Sequence, residues 1–193
     1  MSQFQFHDET SAPAGSQNTL SGNNKAYGFI PNLLGAFAEN PAVLDAYLGL
    51  SAAFDKTGLT ATERQIVAIA SSVENDCHFC VAAHTTIAQG QKVPADVLTA
   101  LRTNTPIADA KLEALRRFTL QVVRQRGFVA DADVQRFREA GYDNAAILAV
   151  VVGVSLKTFS NYANHFLETP VNEQFAANAW TPAEAGKTPV AAE

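Results

Sequence analysis

The sequence predicts an all-α protein. Apolar residues recur at the three- and four-residue spacing of a helical face through most of the chain. No stretch alternates apolar and polar residues with period two, and no hairpin dipeptide lies between two apolar runs. Start and stop signals cut this pattern into about seven or eight helices, with no solenoid-type repeat.

Residues 1–26 are polar, rich in Ser, Asn, Gly and Gln, and show no periodicity. They read as an arm, disordered alone and ordered only against a neighbour. Pro31 suits the first turn of a short helix running to about Glu39. Asn40-Pro41 repeats that start signal, and Val43, Leu44, Tyr47, Leu48 and Phe54 give the next helix an apolar stripe that Gly58 closes. Thr60 and Glu63 have the spacing of a capping box. The helix they start carries Ile66, Val67, Ile69, Ala70 and Val73 and should be largely buried. Glu74-Asn75-Asp76 reads as a break in which Asn75 or Asp76 caps a fresh helix from Cys77 to Gly90. Pro94 opens a short helix with Val97, Leu98 and Leu101. After a polar connector, Asp109 caps a longer helix through Leu112, Leu115, Phe118, Val122 and Val123, stopped by Gly127. Asp131 or Asp133 starts another, which Gly141 closes. The last runs from about Asn144 to Leu167; its Val-rich middle continues apolar beyond strand length, and Thr169-Pro170 ends it. The domain organisation expected is therefore an arm over 1–26, a helical domain over 27–175 and a tail over 176–193 with nothing to bury.

At 193 residues the chain suits one domain that can bury a core without disulfides. A charged fraction of only 17% suggests that much of the surface is covered, as it would be by other subunits. The net charge of −5, with no Lys/Arg block, argues against a nucleic-acid partner; Arg116, Arg117, Arg124 and Arg126 read as the wet face of a helix. The N-terminus lacks the basic start and apolar core of a secretory signal. The longest apolar run, Ala145 to Leu156, is too short for a bilayer and meets Lys157, so no membrane association is expected. A cytoplasmic location follows, in which two cysteines stay reduced at rest.

Those cysteines, Cys77 and Cys80, are the only two, spaced C-x-x-C, with His84 four residues on. On a helix, positions i, i+3 and i+7 share a face, so two thiols and a base line up. A thiolate is the reactive form of cysteine, and a helix N-terminus and an adjacent imidazole both favour it. One thiolate can attack a peroxide oxygen to give a sulfenic acid, which the neighbouring thiol resolves to a disulfide, with His84 moving the proton. The scheme calls for no cofactor or metal. It does call for an external dithiol reductant. A zinc site from Cys77, Cys80, His84 and His78 is the competing reading, and a pair of buried small side chains is the plain one. His165 and Tyr162 read as core or interface residues.

The segment QIVAIASSVENDCHFCVAAH resembles the core of the AhpD-like alkylhydroperoxidases of the carboxymuconolactone decarboxylase superfamily. The LTATERQ stretch before it and the upstream GFIPNLLGAFAENPAVLDAYLGL are similar to the peroxidase-related branch of that superfamily. The likeness is most specific over residues 27–90 and extends loosely to NYANHFLETPVNEQF. It implies an AhpD-like helical bundle assembled as a homo-oligomer, a trimer or hexamer, that reduces a hydroperoxide at the expense of a protein or lipoyl-type dithiol. It further implies that Cys80 attacks the peroxide, that Cys77 resolves, and that His84 belongs to a proton relay. Two positions depart from the AhpD pattern. The relay glutamate expected twelve residues before the first cysteine is Gln65, and the histidine expected directly before the second is Phe79, with His78 one place earlier. Glu74 is the first candidate to replace the missing acid. Two further readings stand beside the peroxidase: a lactone or carbon-acid enzyme of the decarboxylase type, and a non-enzymatic redox-sensing stress-response protein.

Overall fold

A computed structural model describes residues 4–188, and within them the chain is helical with no strand. The helices are α1 (Ala14–Tyr27), α2 (Asn32–Phe37), α3 (Pro41–Asp55), α4 (Ala61–Glu74), α5 (His78–Gly90), α6 (Ala95–Arg102), α7 (Ala110–Arg124), α8 (Asp131–Glu139) and α9 (Asn144–Leu167). Two short 3-10 segments follow, η1 (Glu173–Asn178) and η2 (Pro182–Ala185).

Capping chemistry sets several of the boundaries. Asn40 accepts from the Ala42 amide at 3.0 Å, and Asp109 from the Leu112 amide at 2.9 Å. Thr60 and Glu63 form the reciprocal box that opens α4, the Thr60 hydroxyl accepting from the Glu63 amide at 3.2 Å and the Glu63 carboxylate from the Thr60 amide at 2.8 Å. α9 starts on Asp143, which accepts from the Ala146 amide at 2.8 Å.

α4 is the axis of the bundle. It packs against α5, α6, α7 and α9, and Ile66, Val67, Ile69 and Val73 along it are all but inaccessible. α9 closes on α3 and α4 at Gly153, where an added Cβ would come within 2.6 Å of the Phe54 ring and 2.7 Å of Val67. By length and hydropathy α9 could cross a membrane. Its buried Lys157, Ser160, Asn161 and Asn164, packed within the bundle, instead mark a core helix with a polar face.

The apolar interior divides in two. One cluster is built on α4, α6, α7, α8 and the first half of α9, including a stack of Phe118, Phe137 and Tyr142. The other holds Leu20 of α1, Leu33, Leu34 and Phe37 of α2, Leu44 of α3, Leu167 of α9 and Phe175 of η1, with both cysteines among them.

Both ends of the chain differ from the sequence expectation. Residues 14–27, expected to lack structure, form α1; its buried Ser16 donates to the Ala38 carbonyl at 2.8 Å, and Leu20 enters the core. The segment before it crosses α2 where Gly35 has no side chain: the His7 amide donates to the Gly35 carbonyl, and a Cβ there would sit 2.7 Å from the His7 carbonyl oxygen. One leucine anchors this helix, which is too little to register as a period. At the other end the stretch after 176 does bury something. Trp180 is 3% exposed, its indole donating to the Arg102 carbonyl at 3.0 Å. Residues 1–3 of the expected arm and 189–193 of the expected tail lie outside the described residues.

Candidate active site

The turn between α4 and α5 delivers the cysteines. α4 ends at Glu74, Asn75 caps it, and Asp76 takes a left-handed conformation (φ 54°) that reverses the chain. The helix begins one residue later than the sequence suggests. Neither Asn75 nor Asp76 is its cap; Cys77 holds the N-cap position and α5 starts at His78. Cys80 is therefore in the first turn, where unpaired backbone amides favour negative charge. Both thiols are free and buried.

α9 lies against this turn with a polar face of Lys157, Ser160, Asn161 and Asn164, at the i, i+3, i+4, i+7 spacing of one helical side. The Asn164 side-chain amide donates to Cys80 Sγ at 3.3 Å and to Cys77 Sγ at 3.6 Å. Its Oδ1 is buried and has no protein partner. The Ser160 hydroxyl lies 3.7 Å from Cys80 Sγ. The Lys157 ammonium is near enough to Cys80 for each charge to act on the other, and it donates to His84 Nε2 at 2.9 Å.

That last contact settles the proton on the imidazole. An ammonium has only donors to offer, so Nε2 of His84 accepts and Nδ1 carries the hydrogen. Nδ1 then donates to Gln65 Oε1 at 2.9 Å, which leaves the Gln65 amide to donate to Gln91 Oε1 at 3.1 Å. Burial and the neighbouring Lys157 charge hold the His84 pKa well below the usual histidine range, so the ring is neutral.

The two thiols are pushed apart in acidity. Burial alone would raise Cys80. The hydrogen bond from Cys77, the Lys157 charge and donors on Ser160 and Asn161 outweigh it, and Cys80 falls well below the ordinary thiol value. Cys77, raised by burial and by the adjacent Cys80 charge, stays a thiol. Lys157, which burial alone would lower, is raised by the charge of Cys80 and by Tyr47 and Cys77. The resting pair is thus a Cys80 thiolate beside a Lys157 ammonium, with Cys77 holding a proton next door.

Of the residues singled out from sequence, Cys77, Cys80 and His84 come together. Glu74 does not join them. Both of its carboxylate oxygens are held by Arg124 of α7, at 2.8 and 2.9 Å, so it is committed to an ion pair between helices. His78 is exposed; His165 donates to the Asn75 carbonyl at 2.9 Å, and Tyr162 is exposed. Among the described residues no three His, Cys, Asp or Glu side chains converge as metal ligands. A cation beside Cys80 and His84 would also meet the Lys157 ammonium, which disfavours the zinc reading. Lys157, Ser160, Asn161 and Asn164 were missed. The available signal was four polar residues at helical spacing inside an otherwise apolar helix.

Residues 41–121 match the Carboxymuconolactone decarboxylase family. The match runs from α3 into α7 and takes in Cys77, Cys80 and His84. Solved structures share its fold at low sequence identity. An uncharacterized peroxidase-related protein from Ralstonia eutropha JMP134, described as an alkylhydroperoxidase AhpD core, superposes with a TM-score of 0.80 at 23% identity, over 90% of this chain and 94% of that one. A second peroxidase-related protein, from Silicibacter sp. TM1040, gives 0.78 at 19% identity over 90% and 92%. The debrominase Bmp8, in a cysteine-to-alanine variant in complex with 2,3,4-tribromopyrrole, gives 0.77 at 16% identity over 92% and 96%. No curated protein matches the chain in sequence.

Proposed function

We propose that this protein is a thiol-dependent peroxidase and disulfide reductase working through a Cys77–Cys80 dithiol–disulfide cycle. The observation that carries the reading is the asymmetric pair: a Cys80 thiolate held by Lys157, Asn164 and the helix start, beside a protonated Cys77. Cys80 attacks the terminal oxygen of a hydroperoxide; the S–O bond forms, the O–O bond breaks, and the alcohol leaves with a proton. Cys77 then attacks the Cys80 sulfur, giving the disulfide and water. His84 bears on the proton traffic through Lys157, whose ammonium it holds in place. The unpartnered Asn164 Oδ1 is an acceptor for the hydroperoxide O–H. A separate dithiol returns the pair to its reduced form, which fits a reducing compartment such as the cytoplasm. Assembly as a trimer or hexamer belongs to the same reading. Leu148, Val151, Tyr162 and Phe166, exposed along one side of α9, are a surface available to it.

The expected result is that Cys80→Ser abolishes hydroperoxide consumption with a dithiol donor, whereas Cys77→Ser reacts once and stalls at the sulfenic acid. Full turnover by Cys80→Ser would sink the assignment. A second reading rests on Phe37, Tyr47 and Phe159, which pack together 5.2 to 6.0 Å apart, with Tyr47 close enough to the dithiol for its acidity to respond to Cys80. The same thiolate could take bromine from a brominated aromatic ring; the S–Br bond forms, the ring carbon receives a proton, and Cys77 displaces bromide. Bromide release from tribromopyrrole in excess of peroxide turnover would favour it.

A further inference from the structure

We propose that Lys157 is the catalytic acid of this site, delivering the proton to the oxygen that leaves when Cys80 is oxidised. This rests on the peroxidase reading and deepens it. His84 cannot fill the role as it stands: its Nε2 lone pair accepts from Lys157, its Nδ1 hydrogen is bound to Gln65, and the Gln65 amide ends the chain on Gln91. An amide neither gives nor recovers a proton. Lys157 holds the labile hydrogens: from α9 it donates to His84 of α5 at 2.9 Å, one turn beyond Cys80, and its charge is felt by Cys80, by Cys77 at the α5 N-cap and by Tyr47 of α3.

The chemistry of a buried ammonium explains when the proton leaves. Lys157 keeps its charge because the Cys80 thiolate faces it. When that sulfur becomes a sulfenic acid the counter-charge disappears, burial takes over, and the ammonium turns into a stronger acid as the leaving oxygen gains charge. The balance closes. Cys80 thiolate, ROOH and the Lys157 ammonium give Cys80 sulfenic acid, ROH and the Lys157 amine. Cys77 next passes its thiol proton to that amine and attacks the Cys80 sulfur; the S–O bond breaks, and hydroxide leaves with the same proton as water. The oxidised site holds a disulfide and a neutral Lys157. A dithiol reductant returns two electrons and two protons, one to Cys77 and one to Lys157. His84 and Gln65 are then positioning residues that aim the amine.

Single-turnover oxidation of the full-length reduced protein, followed by stopped flow, tests this with peracetic acid, hydrogen peroxide and tert-butyl hydroperoxide, whose leaving groups grow steadily more basic. In wild type the rate should depend weakly on the leaving group. Lys157→Met should lose about a hundredfold or more with tert-butyl hydroperoxide and about tenfold or less with peracetic acid, the range expected of a general acid. Lys157→Arg keeps the charge but cannot release a proton, so it should retain the thiolate, read by its ultraviolet absorbance against pH, and still show the graded loss. Equal losses across the three peroxides, or full activity in Lys157→Arg, would overturn the proposal. Should neither variant fold, a steep leaving-group dependence in wild type overturns it and a flat one supports it. A wild type inert to all three peroxides while Cys80 still alkylates below the ordinary thiol range removes the peroxidase reading and the acid with it. A graded loss in a reactive enzyme keeps both.

Discussion

Cys80 owes its acidity to the hydrogen bond from Cys77 and to a lysine seventy-seven positions later in the chain, and that distant pairing organises the residue scale. Burying a thiolate is costly unless an opposite charge and hydrogen-bond donors come with it. Lys157 supplies the charge, and the Asn164 amide supplies a donor. Gln65 shows the same logic at the far end. A carboxylate in its place would face the His84 Nδ1 hydrogen and favour the imidazolium. Gln65→Glu is expected to raise the His84 pKa from its present position well below the histidine range, so that the ring charges at higher pH than in wild type. Imidazole NMR titration of the reduced protein checks this, and an unmoved titration would refute it. At this scale the sequence reading was strong on the reactive pair and weak on its support. C-x-x-C followed by His84 is a local pattern on one helix and needs no fold to be seen. The Lys157 contact joins two helices far apart in sequence, and Glu74 looked suitable only because its Arg124 partner, fifty residues on, was out of view.

The helices position these groups through a few close approaches. At Gly153, α9 lies so near α3 and α4 that a methyl group has no room between the Phe54 ring and Val67. Gly153→Ala should therefore destabilise the fold by about 1–3 kcal/mol through overpacking. Chemical denaturation measures the loss, and a variant as stable as wild type would show that the contact is looser than described. The same substitution pushes α9 outward one turn before Lys157, so the Cys80 thiolate titration should move up with it. Helix existence and order were readable throughout residues 31–167, because capping residues and apolar spacing agree there. Crossing distances were not, since a glycine that admits a neighbour looks like any other in a list of residues.

At the scale of the molecule, the two ends of the chain wrap the dithiol half. α1 and α2 roof the cluster that holds the cysteines, and the C-terminal stretch braces the turn that presents them. Lys187 Nζ donates to the Val73 carbonyl at 3.0 Å and the Glu74 carbonyl at 2.8 Å, and it pairs with Asp76 at 2.7 Å. Those carbonyls belong to the last turn of α4, where a cation is favoured. Lys187→Ala should cost on the order of 1 kcal/mol. It should also speed amide exchange at Asp76 and Cys77, which hydrogen-exchange mass spectrometry can resolve; unchanged protection there would refute the brace. Composition could not reveal it. A stretch of Ala, Pro, Thr and Glu has the profile of a tail, and one lysine and one tryptophan do not change that profile.

The distance along the chain between Cys80 and Lys157 bears on how the protein is made. A nascent chain that has released Cys80 but not yet α9 carries two ordinary thiols, slow toward oxidants and no more exposed to damage than any other cysteine. Reactivity arrives only when α9 docks and its ammonium meets the sulfur. Thiolate chemistry below the ordinary thiol range is thus a property of the finished fold, and alkylation of Cys80 under those conditions would count completed molecules during synthesis or refolding.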